Sequence, residues 1–180
     1  FLFSWMGDVS LMLTPETITD THFLFIPKSK YLFLAGLGSF LLAQVCFILT
    51  YRHEVQSGSR KKTLPWLWFA PLYIYWIMMV YTLAPAVYHN PEKSAATIPV
   101  IIYAAVLIGM CASALNRYGY VSQISFMLVF TGACIFVLSD SLIAFNYLVY
   151  PQPMPMAGVW IFGTYALAEI LMAEGVLQNQ

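Results

Sequence analysis

Charge is what this 180-residue sequence has least of. Asp, Glu, Lys and Arg make up only 9% of it, against about 25% in a typical soluble domain. So few charged side chains cannot cover a water-facing surface, which excludes a soluble enzyme, a disordered chain and a nucleic-acid binder. The eight basic and eight acidic residues cancel, so no net field draws in a charged partner. Cysteine is scarce as well. Cys46, Cys111 and Cys134 are scattered through apolar runs, with no spacing for a zinc or redox motif, and read as reduced packing residues. His22, His53 and His89 fall on three different connections, so neither a metal site nor any cofactor is expected. Ser39, Ser139 and Ser141 have no His or Lys beside them in their apolar runs, which argues against a serine nucleophile. The first residues carry no charged n-region and no small-residue cleavage pattern, so they do not read as a signal peptide.

Apolar residues are what the chain has instead, at 61% and a mean hydropathy of +0.75. A helix crossing the hydrocarbon core needs about 20 of them in a run. Six segments qualify: about 1–14, 31–51, 66–88, 96–115, 121–149 and 157–176. The first is short and reads as a helix entered partway, with one or more helices expected upstream. The fifth is long enough to tilt, kink or end before Tyr147. Lipid-exposed strand edges would leave backbone groups unpaired, and the alternation of barrel strands is missing. The expectation is an all-α, polytopic transmembrane bundle, a single domain over 1–180. Pro15 and Pro27, Ser57 to Ser59 with Pro65, Asn90-Pro91, Asn116 to Gly119, and Pro151, Pro153 and Pro155 mark the connections. No convincing internal repeat is present, which weakens an inverted-repeat transporter.

Basic residues orient the spans. Arg52, Arg60, Lys61, Lys62 and Arg117 fall on one side, and Lys28, Lys30 and Lys93 on the other. Five against three places the first group, and the C-terminus, in the cytoplasm. Compactness and bare loops favour a bacterial inner membrane.

Four acids read as loop residues: Glu16, Asp20, Glu54 and Glu92. Asp8, Asp140 and Glu169 fall inside apolar spans, with Glu174 near the end of the last. An intramembrane acid costs about 2.5–3.5 kcal/mol on insertion scales, and no Lys or Arg lies within these spans to offset it. The acids are therefore expected to be protonated, to share protons or to face a wet cavity. Asp8 lies seven residues before Pro15 and Asp140 eleven before Pro151, while Glu169 and Gln44 lie about twelve and thirteen after their span starts. These counts place all four side chains roughly 10–20 Å below one face, at similar depth. Tyr165 and Glu169 share a helical stripe, so the hydroxyl can sit beside the carboxyl. Ala133, Asp140 and Ala144 share another face, with Gly132 and Ser139 beside it, and Gly36, Ser39 and Ala43 form a third. Small-residue stripes let helices approach closely in lipid.

Four runs resemble the YhhN family of membrane proteins. Met6-Gly7-Asp8-Val9-Ser10-Leu11 resembles its GD-x-x-L motif, and Gly36 to Gln44 its G-x-x-x-F-x-x-x-H/Q helix. Gly132-Ala133-Cys134-Ile135-Phe136-Val137-Leu138-Ser139-Asp140-Ser141 is similar to its G-A-x-x-F-x-x-S-D-S motif, and Thr164 to Met172 to its closing T-Y-x-x-A-Q-x-L-I pattern. All four agree in order and spacing across essentially the whole chain. The resemblance implies an eight-helix fold whose last six spans are these, and lysoplasmalogenase activity. That reaction cleaves the vinyl ether of a lysoplasmalogen into a fatty aldehyde and a glycerophospho-base. Gln44 takes the Gln form of the H/Q position where His is expected, and Glu169 stands where the closing pattern has Gln.

Vinyl ethers hydrolyse through protonation at carbon, giving an oxocarbenium ion that water attacks. A general acid must hold its proton near neutral pH, which an apolar site favours. A second carboxylate can stabilise the cation or activate water. Asp8 and Asp140 are the expected catalytic pair, with either one as the acid. Gln44, Ser139, Tyr165 and Glu169 are expected to orient a carboxylate, position water or relay a proton. The expected partners are the membrane and a single-chain lysophospholipid drawn from it; the oligomeric state stays open. Intramembrane acids also suit a proton relay in a transporter or lipid carrier, and a non-catalytic scaffold is a third reading.

Overall fold

A computed structural model describes Ser4, Met6, Gly7 and residues 30–59, 64–89, 97–150 and 154–179, without the side chains of 30–34 and 147. Asp8 lies outside the described residues. So do most of the expected 1–14 span, His22, and the side chains of Lys28, Lys30, Arg60, Lys61, Lys62 and Lys93. Five long helices follow one another. These are α1 (Lys30–Ser57), α2 (Ala70–Tyr88, entered through a 3-10 turn at Trp66–Phe69), α3 (Thr97–Asn116), α4 (Gln123–Ala144) and α5 (Ala157–Leu177). Stretches of all five are long and apolar enough to cross a membrane. No strand occurs among the described residues.

Local chemistry sets the helix ends. Ser122 caps α4, its hydroxyl accepting from the Ser125 amide at 3.2 Å and satisfying an otherwise orphaned donor. Gly119 takes φ 80 in the turn between α3 and α4, a left-handed conformation that glycine adopts without strain. The long fifth segment resolves into two parts. α4 stops at Ala144, and Phe145–Val149 forms a π turn closed by the Tyr150 amide on the Phe145 carbonyl at 2.9 Å. Asn146 Oδ1 then accepts from the Met154 amide at 2.8 Å, which ties the start of the connection to its far end.

The chain forms two compact units, one ending at Cys46 and the other running from Phe47. Within the first, Phe40, Ala43 and Gln44 are buried on α1. A Cβ on Gly7 would lie 2.7 Å from the Phe40 ring, so the backbone of residue 7 rests on that ring.

The second unit is built on an antiparallel seam between α4 and α5. Ser139 Oγ donates to the Ile161 carbonyl at 3.0 Å. Next along the seam, the Phe136 and Tyr165 rings meet edge to face, 5.8 Å apart. Gly132 then faces Ala168 and Met172, Gly175 faces Val129, and Ser125 Oγ donates to the Gly175 carbonyl at 2.5 Å. A methyl group on Gly175 would come within 2.9 Å of the Val129 amide nitrogen, and one on Gly132 within 3.0 Å of the Ala168 carbonyl. The two helices pack almost backbone to backbone, as small residues allow in lipid. Elsewhere Met79 and Leu83 of α2 and Val100 of α3 pack with Tyr75, Ala144 and the π-turn residues Phe145, Leu148 and Val149. Tyr73, Ile74, Ile77, Met78 and Tyr81 stay exposed on α2, an outer face suited to hydrocarbon.

Candidate functional site around Asp140

Asp140 sits on α4 and is only 7% exposed. Its Oδ2 accepts a hydrogen bond from the Tyr103 hydroxyl of α3 at 2.5 Å. The next residue is held as well: the Tyr75 hydroxyl of α2 lies 2.5 Å from Ser141 Oγ, and Ser141 Oγ donates to the Val137 carbonyl at 2.6 Å. A serine hydroxyl has one hydrogen, so Tyr75 is the donor to Ser141. Consecutive residues of an α-helix point about 100° apart, which is why phenols from two different helices meet 140 and 141. On the third side Ser139 fixes α5 through Ile161.

Tyr75 and Tyr103 are absent from the sequence expectation. Position marks only one of them: Tyr103 is the only hydroxyl residue between Thr97 and Ser113 in an otherwise apolar run, whereas Tyr75 shares its run with Tyr73 and Tyr81.

The expected companions of Asp140 divide. Ser139 adjoins it. Tyr165 packs on Phe136, one turn from Asp140 on the same face of α4. Glu169 does not share its depth. The seam contacts set Asp140 level with Trp160 and Glu169 level with Thr131. Nine residues at 1.5 Å each separate the two carboxyls by about 13 Å along the helices. Counting from the prolines fails because α5 begins level with Ile143, the π turn and the connection after it projecting beyond that level. Gln44 is fully buried in the unit ending at Cys46.

A second polar cluster lies at the opposite end of the seam. Glu54 is a helical residue near the end of α1, not a loop acid, and Arg117 is fully buried. Arg117 Nε donates to Glu54 Oε2 at 2.8 Å and Nη2 to Oε1 at 2.9 Å. Nη2 also donates to Ser125 Oγ at 2.8 Å, and Nη1 to the Ser125 carbonyl at 3.3 Å. The guanidinium lies 5.3 Å from the centre of the Tyr51 ring, and Asn179 Nδ2 donates to Glu54 Oε1 at 3.1 Å. A fork-to-fork pair with two further N–H groups given to Ser125 is a joint, and this one ties α1 and α3 to the start of α4 and the end of α5. Cys111 and Cys134, far apart in sequence, bring their sulfurs within 3.9 Å across α3 and α4. Among the described residues no three His, Cys, Asp or Glu side chains converge as metal ligands.

Asp140 is thus a buried carboxyl that accepts a phenol hydrogen bond from a neighbouring helix. A profile described as the YhhN family matches residues 1–176. Two curated relatives, from Mycobacterium bovis and Mycobacterium tuberculosis, both carry the name lysoplasmalogenase. Each is 29% identical over 163 residues, covering 87% of this chain and 56% of the relative. The chain thus spans little more than half the length of the curated relatives it matches. No solved structure matches it.

Proposed function

This chain belongs to the YhhN family, and from that premise we propose that it acts as an intramembrane hydrolase of lysoplasmalogens. The observation that carries the reading is Asp140. It is a carboxyl buried on an apolar helix, in a chain whose relatives are named lysoplasmalogenase. Apolar surroundings favour a carboxyl that holds its proton until substrate arrives. Protonation of the vinyl carbon gives an oxocarbenium ion, water adds, and the hemiacetal collapses to a fatty aldehyde and a glycerophospho-base. Asp8 and Asp140 form the acid and carboxylate pair. Ser139 and Tyr165 position water beside Asp140. Glu169, farther along the seam, serves as an outer relay, and Gln44 orients a carboxylate. The chemistry uses no metal and no organic cofactor.

The lysolipid enters sideways between helices with its headgroup near an interface. In this reading the chain supplies six spans of an eight-helix arrangement in a bacterial inner membrane. The Arg117 end and the C-terminus face the cytoplasm, and Asp140 lies toward the opposite side.

The test is fatty-aldehyde release from lysoplasmenylethanolamine by the purified full-length protein, beside Asp8→Asn and Asp140→Asn. Release by the parent and loss in both folded variants is expected. A folded parent that releases nothing, yet carries a pH-gradient-driven flux in proteoliposomes, would replace hydrolysis with proton-coupled transport.

A further inference from the structure

Tyr103 reaches Asp140 from a separate helix, and its hydrogen bond is directional. A phenol has one hydrogen to give, and here it goes to Oδ2 at 2.5 Å. We infer that Tyr103 is a positioning residue that makes Asp140 the proton donor, an inference resting on the hydrolase reading above.

In this reading Oδ2 is the carbonyl oxygen that accepts from Tyr103, and a protonated Asp140 carries its hydrogen on the other oxygen. In the first step that proton moves to the vinyl carbon β to the ether oxygen. The O–H bond breaks, a C–H bond forms with the π electron pair, and the ether carbon becomes an oxocarbenium ion. Negative charge grows on the Asp140 carboxyl as this happens. The Tyr103 hydroxyl is aimed at that charge before it appears, which is how a fixed donor lowers a barrier more than it strengthens ground-state binding. Water then adds to the cation and loses a proton, which returns to Asp140. Collapse of the hemiacetal releases alcohol and aldehyde, with one water consumed.

The opposite assignment predicts the opposite effect. A carboxylate that takes a proton from water as its slow step loses charge there, so the Tyr103 hydrogen bond would weaken, and one that only stabilises the cation keeps its charge throughout. Removing that hydroxyl would then cost nothing or raise the rate. The neighbouring contact keeps the geometry stiff: Tyr75 holds Ser141, the residue after Asp140, from α2. The segment bearing Asp140 is therefore fixed from both α2 and α3, and removing the Tyr103 hydroxyl leaves the second anchor in place.

The experiment compares the full-length parent with Tyr103→Phe and Asp140→Asn in detergent, using lysoplasmenylethanolamine. Tyr103→Phe should lower kcat about 100-fold while KM stays within about twofold and the thermal midpoint stays near the parent's. A second readout is infrared. The protonated carbonyl stretch that disappears in Asp140→Asn should move to higher wavenumber in Tyr103→Phe. If that variant does not fold, replacement of Tyr103 by 3-fluorotyrosine, which alters donor strength and little else, reads the same band. An unchanged or faster kcat in an active enzyme, or no protonated band assignable to Asp140, overturns the inference and leaves the hydrolase reading standing. A folded parent that releases no aldehyde defeats the hydrolase reading itself, and this inference with it.

Discussion

Asp140 and Glu169 belong to the two helices of one seam yet sit about two and a half helical turns apart, level with Trp160 and Thr131 respectively. At about 13 Å along the axis, the two carboxyls cannot share one bound proton. Their substitutions should therefore differ in size. Asp140→Asn should lower kcat/KM by about 10²–10⁴-fold, the range for removing a general acid or base. Glu169→Gln should stay within about tenfold of the parent. Initial rates of aldehyde release decide it, and equal losses would mean that the two groups act as a unit.

The Arg117–Glu54 joint should carry stability rather than chemistry. Glu54→Ala leaves a fully buried guanidinium without its counter-charge, which costs about 3–5 kcal/mol in comparable settings. Replacing both partners, Glu54→Leu with Arg117→Met, should recover much of that loss, since no charge then stays buried. Thermal unfolding of the three proteins in one detergent gives the comparison. A double variant no better than Glu54→Ala would show that the packing around Tyr51 and Ser125 needs the guanidinium itself.

Two classes of glycine should separate cleanly. Gly175→Val places a bulky group where even a methyl meets the Val129 amide and Leu128 Cβ at 2.9 Å, and should destabilise by about 1–3 kcal/mol or more. Gly158→Ala and Gly163→Ala lie in α5 with nothing within 4 Å of an added Cβ. They should be neutral or raise stability by up to about 1 kcal/mol through helix propensity. Unfolding midpoints measured side by side test both.

Cys111 and Cys134 should cross-link. Their sulfurs lie 3.9 Å apart and need to close to about 2.05 Å. Copper-phenanthroline treatment of the membrane protein should protect two thiols from maleimide labelling carried out after denaturation, reversibly by reductant. Mass spectrometry should find the 111–134 peptide pair and no pair containing Cys46.

Hydropathy makes the helices legible because an apolar run of span length has few other fates in lipid. The edges of α3 and α5 follow the run edges within a residue or two, as do those of α2 once its 3-10 entry at Trp66–Phe69 is included. The buried Asp140 is legible for the same reason: an acid inside such a run has nowhere else to go. Pairing is not legible. Glu54 reads as a loop acid because polarity alone marks loops, while its partner Arg117 lies 63 residues away. Depth is only half legible. A proline count assumes that neighbouring spans begin in one plane, whereas the π turn after Ala144 and the connection beyond it shift α5 by several residues. Tyr75 and Tyr103 escape because their rings count as apolar. A hydropathy scale cannot say which phenol has a carboxyl or a serine in front of it.

The joint at Arg117 also orders events in time. It draws on α1, the end of α3, the start of α4 and, through Ser125 Oγ on the Gly175 carbonyl, the end of α5. Ribosomal synthesis delivers these pieces from first to last. Arg117 leaves the ribosome long before Gly175 does, and its charge has to stay hydrated at the membrane boundary until the closing helix inserts. A nascent chain that stops short of α5 lacks the Gly175 carbonyl that takes the Ser125 hydrogen and the Asn179 amide that reaches Glu54, and so leaves that corner unfinished.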